Sequence, residues 1–175
     1  MQRRDLLRLV GTGALLPFVP RSLDAAIRFG HAAHSAAAQR GLEVLTPAQA
    51  ELVSILSDLV IPRTDTPGAS DVGVTGFIDH LLGAWYHADE RAQFLAGLAE
   101  IDTRAGGRFT AIPAAGQARL LESLDGAEGK AGSAESEFRR LKALTVYGYF
   151  TSERVVKEVT RDPVIPGRFE GCVKT

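Results

Sequence analysis

The stretch TPAQAELVSILSDLVIP (46–62) decides the fold class. Thr46 offers a hydroxyl to the first free amides of a helix. Pro47 suits the first helical position, and Gln49 is placed to reach back to the Thr46 amide. Leu52, Ile55, Leu56 and Leu59 then recur at helical spacing, with Glu51 and Asp58 among the other positions. Ile61-Pro62 stops the run, because the residue before a proline is pushed out of helical backbone.

The same grammar repeats downstream. After the turn-forming loop RTDTPGASD (63–71), a helix is expected from Val74 or Thr75, with Phe77, Ile78, Leu81, Leu82 and Trp85 as its apolar stripe. Asp89 is expected to cap a third helix carrying Phe94, Leu95, Leu98 and Ile101, ended by Gly106-Gly107. Phe109 and Ile112 lead into Pro113 and a short fourth helix with Leu120, Leu121 and Leu124. Residues 125–134 read as a Gly-rich surface loop. A fifth helix is expected from about Glu135 towards Val159, with Phe138, Leu141, Leu144 and Thr145 inward and Gly148 at a close crossing. From Pro163 to Thr175 periodicity ceases, and an extended tail (161–175) is expected. No alternating strand pattern occurs. The expectation is all-α: one small domain of about five helices over 41–175.

The first forty residues read differently. Arg3-Arg4, Leu6, Leu7 and a mild apolar run to Pro20, diluted by Gly11, Thr12, Gly13 and Pro17, have the layout of a twin-arginine export signal. An ordinary secretory signal and a cytoplasmic chain with a basic start are the competing readings. The run is too short to span a bilayer, which takes about 20 apolar residues. Ala36-Ala37-Ala38 fits a small-x-small cleavage rule but lies far from the apolar run. Residues 22–40 read equally as a helix that stays.

Composition excludes several functions. The net charge is −1 and no basic block follows the leader, so nucleic acid and anionic membrane are not expected partners. The single cysteine, Cys172, excludes an internal disulfide framework and a Cys-only zinc or iron–sulfur site. Gly11-Thr12-Gly13 is a fragment of a dinucleotide fingerprint without its strand or third glycine. His80 and His87 are seven apart, whereas zinc ligands on one helix stand four apart. Exposed or capping roles suit them better. His31 and His34 can share a face but have no companion ligands nearby. Asp65 and Asp71 lack the alternating oxygens and terminal Glu of a calcium loop. No G-x-S-x-G elbow is present. No catalytic, cofactor-binding or metal residue is therefore assigned. Cys172 reads as an intermolecular disulfide candidate, a reactive thiol, or a thiol with no role.

The stretch LTPAQAELVSILSDLVIPRTDTPGASDVGVTGFIDHLL (45–82) resembles the gluconate 2-dehydrogenase subunit 3 family, the small subunits of flavin-dependent sugar dehydrogenases. The segment Ile61, Pro62, Thr64, Asp65, Thr66, Pro67, Gly68, Ala69 and Asp71 carries most of the likeness. FLAGLAEID (94–102), FRRLKALTVYGYFTSE (138–153) and PGRFEGC (166–172) resemble later family segments in the same order. The resemblance implies a non-catalytic subunit that escorts a large FAD-dependent catalytic subunit of the glucose–methanol–choline type through twin-arginine export to the periplasm. A multihaem cytochrome c is a further expected companion, with haem c there and FAD in the large subunit. Membrane association would come only through the complex. Expected interface residues are Pro62, Asp65, Pro67, Gly68, Asp71, Tyr147, Tyr149 and Phe169, with Cys172 as a tether. One departure stands out: Ser152-Glu153 is followed by Arg154-Val155 where many members carry Ser-Glu-x-Gly. The alternative is an independent small periplasmic helical enzyme or metal- or ligand-binding protein.

Overall fold

The structure, a computed structural model, describes residues 22–160. Arg3, Arg4, Leu6, Leu7 and the Gly11–Gly13 fragment, like the tail with Phe169 and Cys172, lie outside the described residues. Within them the fold is all-α, with seven helices and no strand among the described residues. These are α1 (Leu23–Gln39), α2 (Pro47–Val60), α3 (Val74–Ala84), α4 (Ala88–Arg104), α5 (Ala114–Asp125), α6 (Ala134–Thr151) and the single turn α7 (Glu153–Val155). Short 3-10 turns at Ser70–Val72 and Phe109–Ala111 join them, and a wider π-type turn follows at Val156–Thr160.

Helix α2 begins as its sequence dictates. The Gln49 amide donates to Thr46 Oγ1 at 3.3 Å, and the Thr46 amide donates to Gln49 Oε1 at 2.9 Å. The helix ends at Val60, with Ile61 as its C-cap.

Helix α6 is the hub and packs against α1, α2, α3, α4 and α5. Its burial is correspondingly broad: Phe138, Leu141, Ala143, Leu144, Thr145, Gly148 and Tyr149 are all buried. Gly148 is the expected close crossing. A β-carbon there would stand 2.7 Å from the Phe77 ring, so only glycine lets α3 and α6 approach this closely. Where α2 crosses α6, Ser57 and Thr145 are both fully buried and satisfy one another across 3.1 Å. Phe77, Phe94, Phe109, Leu56, Ile78, Leu82, Leu141 and Leu144 fill the core between the helices.

Four expectations need correcting. The count of about five helices is low, because residues 23–39 form α1, capped by Ser22 Oγ accepting from the Ala25 amide at 3.2 Å, and the last helix is split. Ser152, with extended backbone (ψ 139°), breaks the helix expected to run to Val159. Its hydroxyl donates to the Tyr149 carbonyl at 2.8 Å and accepts from the Val155 amide at 3.3 Å. One side chain thus ends α6 and starts α7, the local competition with backbone bonding that serine brings to a helix. Asp89 is not the cap of α4. The N-cap is His87, whose amide donates to Glu90 Oε2 at 3.1 Å, while Asp89 sits in the first turn, where a carboxylate favours the helix dipole. Trp85 lies just past the end of α3 rather than in its inward stripe, and is 40% exposed.

Candidate functional site

The loop between α2 and α3 holds most of the residues singled out in the sequence. It is closed by backbone bonds from the Ala69 amide to the Ile61 carbonyl (3.0 Å) and from the Val74 amide to the Ala69 carbonyl (3.3 Å). Asp71 organises its interior. Its carboxylate accepts from the Gly68 amide at 2.9 Å and from Arg63 Nε at 2.7 Å, with a second guanidinium contact. Asp58, one turn back in α2, accepts from the Ser70 amide at 2.8 Å. A carboxylate that takes backbone amides is a strong local restraint. Ala69 is fully buried beneath, Gly68 is buried and Pro67 half-buried, whereas Pro62 and Asp65 form the exposed rim. Asp65 accepts from the Thr64 hydroxyl at 3.0 Å. Asp71 is engaged by Arg63 and Gly68, and Asp65 by Thr64. Among the described residues no three His, Cys, Asp or Glu side chains gather as a metal site requires.

The second group of selected residues meets this loop. Tyr149 is buried, and its hydroxyl donates to the Pro67 carbonyl at 2.9 Å. The loop and the tyrosine-bearing end of α6 are thus fixed to each other. Phe150, 40% exposed, stands edge-on to Tyr149 with ring centres 5.3 Å apart. Tyr147 turns the other way. Its hydroxyl donates to the Ala26 carbonyl of α1 at 2.6 Å, and burial raises its pKa to about 12. Its ring faces Phe29 and Phe77. Tyr147 and Tyr149 therefore have internal partners for their hydroxyls, and the exposed ring at this end of α6 is Phe150.

Several anchoring residues escaped the sequence reading. Asp79 is buried in the middle of α3's apolar stripe and accepts from the amides of Glu43 (2.7 Å), Val44 (3.0 Å) and Leu45 (2.7 Å). It clamps the connection between α1 and α2. A lone acid between Ile78 and His80 is the only sequence signal, and it does not reveal a partner 34–36 residues upstream. Arg63 and Asp58 were passed over for the same reason. His34 stacks on Phe77 at 4.6 Å and bonds the Gly148 carbonyl through Nε2 at 2.6 Å. A carbonyl only accepts, so Nε2 carries the proton. Burial lowers the ring's pKa, partly opposed by that bond and assisted by nearby His31. His80 is half-buried with Nδ1 lacking a hydrogen-bond partner, and His87 is the α4 cap described above.

This arrangement, an acid-braced loop hooked to a tyrosine-bearing helix, draws on two of the segments that carried the family likeness, 45–82 and 138–153. The family model for gluconate 2-dehydrogenase subunit 3 matches residues 47–167. The chain belongs to that family. Comparison with curated proteins and with solved structures gave no match. Membership of the subunit 3 family makes the chain a subunit of a dehydrogenase assembly. The matched span runs from the first residue of α2 through all the later helices, and α1 precedes it. No helix among the described residues is long and apolar enough to cross a membrane.

Proposed function

We propose that this chain is the non-catalytic small subunit of a heteromeric FAD-dependent sugar dehydrogenase. It escorts the folded flavoprotein through twin-arginine export to the periplasm and remains bound to it. The observation that carries the reading is the pairing, in one chain, of an Arg3-Arg4 leader with a subunit 3 domain. FAD is inserted before export, so the loaded catalytic subunit has to cross the membrane folded. A leader on a firmly bound companion serves it as well as one of its own. The large subunit would be of the glucose–methanol–choline type, oxidising gluconate, glucose, fructose or the 3-position of a glucoside, with a cytochrome c accepting electrons.

The face that best suits docking is the 61–71 loop together with Phe150 on the outer side of α6, with buried Tyr149 fixing the two to each other. A preorganised surface loses little conformational freedom on binding. The tail with Phe169 and Cys172 would extend that grip, with Cys172 as a disulfide tether. Replacing Arg3 and Arg4 together with lysine tests the escort role. The flavoprotein should then accumulate in the cytoplasm while the complex still forms. A flavoprotein that is still exported, by an intact leader of its own, would contradict the proposal.

A further inference from the structure

Signal processing reads small residues at the third and first positions before the cut. Between the leader's apolar run and α2, four triplets meet that rule: Gly30-His31-Ala32, Ala33-His34-Ser35, Ser35-Ala36-Ala37 and Ala36-Ala37-Ala38. All four lie inside α1. A protease cleft takes its substrate extended, so these bonds are available only when the helix opens. Susceptibility follows from how firmly the local backbone is buried and bonded.

Helix α1 is held along its length. Near its start, Ala26 accepts the Tyr147 hydroxyl at 2.6 Å, and the Phe29 ring meets Trp85 edge-on at 4.8 Å. In the middle, Gly30 is buried against Thr151, and any β-carbon there would overlap the threonine side chain. Ala33 is 4% exposed, and His34 bonds Gly148 across its stack on Phe77. At its end, Ala37 lies over Gly76 of α3. Beyond it, Asp79 pins the amides of residues 43–45. The helix and the connection leaving it are therefore both fixed to α3 and α6.

We propose that α1 is a permanent part of the exported protein: its small-x-small triplets are not processing sites, and any removal of the leader leaves a new N-terminus at or before Leu23. The biological setting rests on the export reading above, but the docking of α1 does not. Loss of residues 22–38 would uncover the Phe77 ring and leave the Tyr147 hydroxyl and Gly148 carbonyl without these partners.

Two measurements decide it. Purified full-length protein is digested with limiting elastase, which cuts after small residues. Cleavage in the 126–133 loop, at Ala127 or Ala131, should run at least about tenfold faster than cleavage within 30–38. His34→Asn, which adds no small residue for elastase to cut after, should raise the rate within 30–38 by roughly tenfold while the loop rate holds, because cutting tracks the open population. Wild-type cleavage within 30–38 as fast as in the loop overturns the proposal. Independently, intact mass of the protein recovered from the cell envelope should place its N-terminus at or before Leu23. A terminus anywhere between Asp24 and Gln39 overturns it. Absence of the chain from the envelope would instead refute export, and the elastase rates would still decide the status of α1.

Discussion

Helix α2 buries Leu52, Val53 and Leu56 in the core, whereas α1 buries only Gly30 and Ala33 along a longer run. The first is held by aliphatic volume, at about 1.5–3 kcal/mol for each fully buried side chain. The second is held by closeness. Small residues let its backbone rest on α6, and point contacts from Tyr147, His34 and Phe29 fix its register. Such contacts add about 0.5–1.5 kcal/mol for each hydrogen bond or aromatic pair. The lesson concerns recognition as much as stability. A helix docked through Gly and Ala buries little aliphatic volume, so its sequence left two readings open, a linker and a helix that stays.

Phe77 is where the two regions meet, since it lies under His34 and Tyr147 and against Gly148. Phe77→Ala should cost about 3–5 kcal/mol in urea unfolding, the range for emptying a buried aromatic site. If α1 is integral, wild-type protein unfolds in one transition by far- and near-ultraviolet dichroism alike. A separate early loss of about one helix of signal would show α1 to be an appendage.

The clamp between the regions comes next in size. Asp79→Asn keeps the shape but turns an amide group towards the three backbone donors of residues 43–45. A loss of roughly 2 kcal/mol is expected, read from the urea midpoint, because hydrogen bonds to charge are strong and the freed amides are partly buried. An unchanged midpoint would mean the α1–α2 connection needs no clamp.

The smallest effect is a pH dependence confined to α1. The unfolded His34 ring titrates near 6.5, and the folded ring lower because of burial. As pH falls below about 7, the unfolded chain takes up the proton first, so stability drops until the folded ring also titrates. Hydrogen exchange of amides 23–39 should quicken between pH 7 and 5, after correction for intrinsic rates, more than exchange in α2. His34→Gln should flatten that difference.

The sequence made α2 legible because its signals are local. Thr46 and Gln49 are three residues apart, and the aliphatic spacing lies within a few turns. The same holds for the start of α3 and for the loop that α2 and α3 share. What stayed hidden depends on distance in space. Asp79 reads as an interruption of a stripe until its three amides are placed beside it. Ser152 reads as a helix residue until its hydroxyl is seen capping both ways, and the Val155 that follows is fully buried. In the candidate site, Pro67 and Tyr149 were each legible as family residues. Their contact was not, because no spacing rule links residues 82 apart, and the exposed Asp71–Arg63 brace, eight residues apart, depends on how the loop folds back.

In the proposed function this chain works bound to a flavoprotein. Affinity purification of the full-length chain from its native host, with an absorption spectrum taken on the eluate, tests it most directly. A larger polypeptide carrying oxidised-flavin bands should be recovered with it in stoichiometric amount. Recovery of the chain alone, monodisperse and without flavin absorbance, would contradict it.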